Sequence, residues 1–157
     1  MSLNGHLGWE GRAIYSRIAQ PRCGAFEARA APGAVYIVDD SAVRYPDHLD
    51  RVPHTTGRRV IVVQSQVYSK GFKPSSILVV PCSTSHKGEV GGYDYEIPAT
   101  ETAFTGERVV AYTTLVMPVS KRMFRSYVGK VTDDTLFELQ TRLLRLIDLS
   151  GDEPEPA

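Results

Sequence analysis

The 157-residue chain is poor in cysteine, with two residues, Cys23 and Cys82. Two thiols so far apart form neither a disulfide framework nor a zinc site of the usual paired spacing, so no metal centre is expected. There is no apolar run near the roughly 18 residues that a membrane-spanning helix needs. The opening residues, MSLNGHLGWEGR, contain no secretory hydrophobic core, so a soluble cytoplasmic protein without a membrane partner is expected. Net charge is also missing, with 18 Lys and Arg against 18 Asp and Glu. No global field therefore draws the protein toward nucleic acid or lipid. Internal repeats are absent, as is any glycine-rich phosphate loop leading into a helix. What is present, 42% apolar and 23% charged residues, is the composition of an ordinary single globular domain.

The balanced charge is unevenly distributed. Up to Lys73 there are ten Lys and Arg against six Asp and Glu; from Pro74 onward there are eight against twelve. The basic excess includes Arg58, Arg59, Lys70 and Lys73, so any anion site is expected in that half. A solvated polar face accounts for the same cluster.

Along the chain, residues 1–31 read as an N-terminal extension with weak helical spacing. Short strands are expected over 34–40 (AVYIVDD), 59–66 (RVIVVQSQ), 76–82 (SILVVPC), 91–98, 107–114 and 126–131. A loop of about seventeen residues separates the first two, a length usually reserved for functional lids or disordered chain. The period then changes. Leu136, Leu139, Leu143, Leu144 and Ile147 recur at helical spacing, with Thr132 or Asp133 able to cap the start. Residues 151–157 read as a disordered acidic tail. Strands first and one amphipathic helix last give a mostly β domain over 32–150, a small curled antiparallel barrel with a C-terminal helix packed on it.

The stretch ILVVPCSTSHKG, residues 77–88, gathers Cys82, Ser83, Thr84, Ser85 and His86. In an extended chain Cys82 and His86 stand about 13 Å apart at ~3.3 Å per residue, too far for a nucleophile and its base. Strand alternation puts Leu78, Val80 and Cys82 on one face and Val79, Pro81 and Ser83 on the other. Cys82 thus reads as a small core residue. Ser83 faces the opposite way where the strand ends, either as a turn hydroxyl or as a functional one.

Four segments, TGRRVIVVQS, VVPCSTSHKG, YDYEIPA and YVGKVTDDTLFELQTRLLRLIDL, occur in the order found in MazF/PemK-like toxins of type II toxin–antitoxin systems, which this chain resembles over roughly residues 33–150. GAVYIVDD from Gly33 is similar to the family's first strand. Gly57, Arg59, Val62, Val63 and Ser65 match its second motif, and Val80, Pro81, Ser83 and Thr84 its strand end. The resemblance implies an SH3-like barrel, a homodimer, a cognate antitoxin and metal-independent, sequence-selective cleavage of single-stranded RNA without a cofactor. It places the catalytic arginine on Arg59 and the hydroxyl on Ser83, with Arg58 and Thr84 as alternates. A planar guanidinium suits the charge that builds on a phosphorane-like transition state. Arginine is a poor proton carrier at neutral pH, so the general base is a separate question. His54 is the candidate for it, with a solvated loop histidine as the competing reading. His86, Lys70 and Lys73 are candidate phosphate contacts, and Tyr45, Phe72 and Tyr93 candidate base-stacking residues that also suit ordinary packing.

The chain departs from the family pattern at Val60, where the family has proline, and at Tyr112-Thr113, where it has Asp-Gln. These departures keep open a second reading: a non-cleaving relative of the same fold, such as a CcdB-like inhibitor of DNA gyrase or a regulatory binding module. A dimeric structural protein is the third.

Overall fold

The computed structural model describes residues 30–44, 55–68, 75–85, 89–104, 106 and 108–147. Seven strands lie among them: β1 (Ala34–Val38), β2 (Arg58–Val62), β3 (Ser76–Ser83), β4 (Tyr95–Ile97), β5 (Val109–Ala111), β6 (Met117–Ser120) and β7 (Phe124–Lys130). One helix follows, α1 (Asp133–Leu146). The strands form a single antiparallel sheet in the order β4-β5-β3-β2-β1-β7. β6 pairs with the first half of β3, and β5 with its last two residues. One edge of β3 thus serves two strands, and the sheet curls there without closing into a full barrel.

β1, β2 and the middle of β3 are nearly continuous in Val and Ile because they are covered on both faces. On one side Val35, Ile61, Val80 and Cys82 pack with Phe104, Val109 and Leu139. On the other, Tyr36, Val38, Val60, Val62 and Val79 pack with Val119 and Phe124. Alternation along β3 is as expected, but neither face is an outside: Val79 and Pro81 are as buried as Val80 and Cys82. Ser83 is reachable because the strand ends there.

Several expected limits shift. β2 ends at Val62 instead of continuing to 66, and the buried Gln64 side chain accepts the Leu78 N–H at 3.0 Å where the ladder would have run on. The strand expected over 107–114 stops at Ala111, followed by a 3-10 turn, Thr113–Leu115. β6 was not foreseen, since MPVS carries a proline and no clean alternation. α1 begins as its pattern predicts. Thr132, not Asp133, is the N-cap, its hydroxyl accepting the Thr135 N–H at 3.3 Å. Leu139 is buried and Leu136 and Leu143 pack against the sheet, whereas Leu144 and Ile147 are exposed. The extension (1–31) and tail (151–157) lie almost wholly outside the described residues. Among the described residues, no helix is long and apolar enough to cross a membrane.

Candidate functional site

The site is built where β2 begins and β3 ends. Gly57 turns the chain into β2 with φ +79°. A Cβ there would lie 2.4 Å from the Val38 carbonyl oxygen, so the turn packs directly on the end of β1. Glycine tolerates both demands. The turn then presents two arginines in succession, and the pleat sends them to opposite faces.

Arg58 takes the face of Val60 and Val62. Its Nε donates to Asp40 Oδ1 at 2.8 Å, with side chains only 9% and 7% exposed. Arg59 takes the face of Ile61, and its guanidinium carbon lies 5.8 Å from the ring centroid of the buried Phe104. That is within cation–π range and steadies a half-buried charge. β2 and β3 pair with Val60 opposite Pro81. Carried along the strands, this register sets Arg59 level with Cys82 and Arg58 level with Ser83.

At the end of β3, Ser83 Oγ accepts the Ser85 N–H at 3.2 Å and lies 3.1 Å from Ser85 Oγ. Thr84 and Ser85 are exposed. Cys82 is buried, and burial pushes its thiol far above the ordinary range, outweighing the opposite pull of Arg59. It is a core residue, as alternation predicts, and a poor nucleophile.

These side chains line one open cavity of about 370 Å³, bounded by Gly57, Arg58, Arg59, Ser83, Thr84 and Ser85 with Cys82 and Val109 in the wall. Two guanidinium-bearing residues and three hydroxyls around so small a space favour an anion with several oxygens. Of the sequence candidates, Arg58, Arg59, Ser83 and Thr84 are brought together. His54, Lys70, Lys73 and His86 lie outside the described residues, as do Tyr45 and Phe72. Among the described residues, no group of three or more His, Cys, Asp or Glu could hold a metal ion.

A sequence profile of the family described as PemK-like, MazF-like toxin of type II toxin-antitoxin system matches residues 32–147. The chain belongs to this family. Its fold is similar to that of a mycobacterial endoribonuclease solved in complex with its cognate antitoxin, at 17% identity and a TM-score of 0.56, covering 80% of this chain and 98% of that one. It is also similar to the MazE-MazF complex of Deinococcus radiodurans, at 16% identity and a TM-score of 0.52, covering 74% and 92%. No curated protein sequence matches the chain. At such identities the structural likeness speaks for the PemK/MazF fold alone.

Two contributors to this site in the toxin fold were not read from the sequence. Asp40 looked like the end of a strand; it is a buried partner of Arg58. Tyr112 was read only as a departure, yet its side chain hydrogen-bonds Ser83. Pattern could have singled out Asp40, a buried acid ending an apolar strand, whereas Tyr112 meets Ser83 only through strand pairing. Its neighbour Thr113 is fully buried and donates its hydroxyl to the Tyr93 carbonyl, a structural role.

Proposed function

We propose that the protein is the toxin of a toxin–antitoxin pair and cleaves single-stranded RNA at the cavity between β2 and β3. The observation that carries this reading is the meeting of Arg59 and Ser83 at one anion-sized cavity, with Arg58, Thr84 and Ser85 around them. In the proposed reaction the ribose 2′-oxygen attacks the neighbouring phosphorus and the bond to the 5′-oxygen breaks. The products are a 2′,3′-cyclic phosphate and a 5′-hydroxyl. Arg59 meets the negative charge that grows on the phosphoryl oxygens, and a hydroxyl from Ser83 donates to one of them. Arg58, held by Asp40, adds positive potential from the other face. The 2′-hydroxyl proton leaves to a base, for which His54 is our candidate, the departing 5′-oxygen takes a proton from water, and Thr84, His86, Lys70 and Lys73 contact flanking phosphates. The chemistry proposed uses side chains only, with no metal or cofactor. A homodimer, sequence-selective cutting, a cytoplasmic setting and an antitoxin that covers the cavity complete the reading, on family grounds.

Purified protein incubated with a long single-stranded RNA in EDTA, beside Arg59→Ala, tests this. Expected are discrete cuts that fall about 100-fold or more in the variant, the scale of losing one charge-stabilising donor. Intact RNA at micromolar protein, with growth arrest on expression, would point instead to a non-cleaving relative such as a gyrase inhibitor.

A further inference from the structure

Ser83 and Arg59 share the cavity but not a face of the sheet. Residues level with each other on neighbouring strands point to the same side. β2 and β3 pair Val60 with Pro81, and the same register, carried outward, sets Arg58 opposite Ser83. Arg59 falls opposite the buried Cys82, on the other side. The guanidinium placed to act beside Ser83 is therefore that of Arg58.

Arg58 is held in place. Asp40 accepts its Nε–H at 2.8 Å, and Nε is the guanidinium nitrogen nearest the chain. A bond there fixes the plane of the group and, with it, the direction of the outer nitrogens. Asp40 is anchored in turn. It opens the 3-10 turn Asp40–Ala42, and its carbonyl accepts the Val43 N–H at 3.2 Å. The Asp39 N–H before it donates to the Met123 carbonyl at 2.9 Å, and the Asp40 side chain is buried.

A carboxylate is an odd neighbour for an anion site. By charge alone Asp40 offsets the field that Arg58 sends into the cavity, and so weakens phosphate binding. What it can add is aim. A guanidinium carries more N–H donors than one carboxylate engages, in a rigid planar fork. With Nε turned to Asp40, Arg58 still lines the cavity wall together with Ser83 and Thr84.

We propose that Asp40 is a positioning residue for Arg58, and that Arg58, so aimed, is a second catalytic arginine donating to the scissile phosphate from the Ser83 face. Arg59 donates from the opposite face, and the phosphate is held between them. This rests on the ribonuclease reading and adds a direct contact to the potential that Arg58 supplies there.

Rates at one mapped cut in a single-stranded RNA, with kcat and KM separated and corrected for the folded fraction, test it. Arg58→Lys keeps the positive charge but not the fork, and should lower kcat about 100-fold. Asp40→Asn removes a negative charge beside the phosphate. Potential alone would hold or raise kcat and tighten KM. Lost aim should instead lower kcat about tenfold, with KM no higher than in wild type. In the Arg58→Lys background Asp40→Asn should cost nothing further, because no fork is left to orient. A wild-type kcat in either single variant, a loss confined to KM, or a full additional loss in the double variant would overturn the assignment. Wild-type cuts that Arg59→Ala abolishes would keep the ribonuclease reading standing in each of those cases. Where Asp40→Asn does not fold, Asp40→Glu keeps the charge and displaces the carboxylate, and the same loss of kcat is required of it. Uncut RNA with the wild-type protein would remove both readings.

Discussion

The Nε of Arg58 lies 2.8 Å from Oδ1 of Asp40, with both side chains almost excluded from water. Removing one member of such a pair strips a buried charge of this partner, which costs about 3–5 kcal/mol. Asp40→Ala should therefore lower the denaturant midpoint sharply. Arg59→Ala, which removes a half-buried side chain resting on Phe104, should lower it far less while losing RNA cleavage. Equal losses of stability from the two changes would contradict this division of labour. Chemical denaturation beside a cleavage assay separates them.

Gly57→Ala is expected to fail differently. The left-handed backbone is strained for alanine, and the new methyl meets the Val38 carbonyl oxygen and the Ile37 side chain. A destabilisation of about 1–3 kcal/mol is the expected scale. Cleavage should fall even in the folded fraction, because the turn aims both arginines. Melting curves with activity corrected for the folded fraction would test this.

Acid should loosen the foot of α1. Glu101 is buried, which raises its carboxyl pKa. Hydrogen bonds from the Thr132 and Thr135 side chains and the Thr132 N–H outweigh that, and the net shift is downward from 4.5. A group whose pKa is lower in the folded state contributes stability that is fully present above its unfolded value and lost as pH falls through the folded one. Glu101→Gln should thus be less stable than wild type at pH 6, by about 1–2 kcal/mol. The gap should narrow as pH drops below 4.5. Urea melts at pH 6 and pH 3 give both numbers, and a gap independent of pH would refute the role.

Cys82 should be chemically silent. Buried, with its thiol held protonated, it should resist alkylation in the folded protein and react once unfolded. Cys82→Ala should retain cleavage within a few-fold, at a modest cost in stability. Mass spectrometry after iodoacetamide treatment, with and without denaturant, follows the thiol; cleavage abolished by Cys82→Ala in a folded protein would restore the nucleophile reading.

Much of the fold was legible because local rules suffice where burial is periodic. The leucines at 136, 139 and 143 set one face of α1, and the Val-rich runs gave β1, β2 and β3. β6 escaped because its proline and mixed burial carry no period. Leu144 and Ile147 had apolar side chains at plausible spacing, but both are exposed, while Leu143 beside them packs on the core. At the site, pattern alone judged Cys82 correctly and left Ser83 undecided between turn and function.

By itself the sequence determined which residues can be core, where the helix starts and, through four ordered segments, which family the chain belongs to. These depend on short-range spacing and side-chain chemistry, which one dimension records. Only the tertiary structure decided that Arg58 and Arg59 part to opposite faces, that Asp40 pairs with the first, and that Tyr112 meets Ser83. Those relations follow from strand register, and register is set by which buried faces find each other across the sheet.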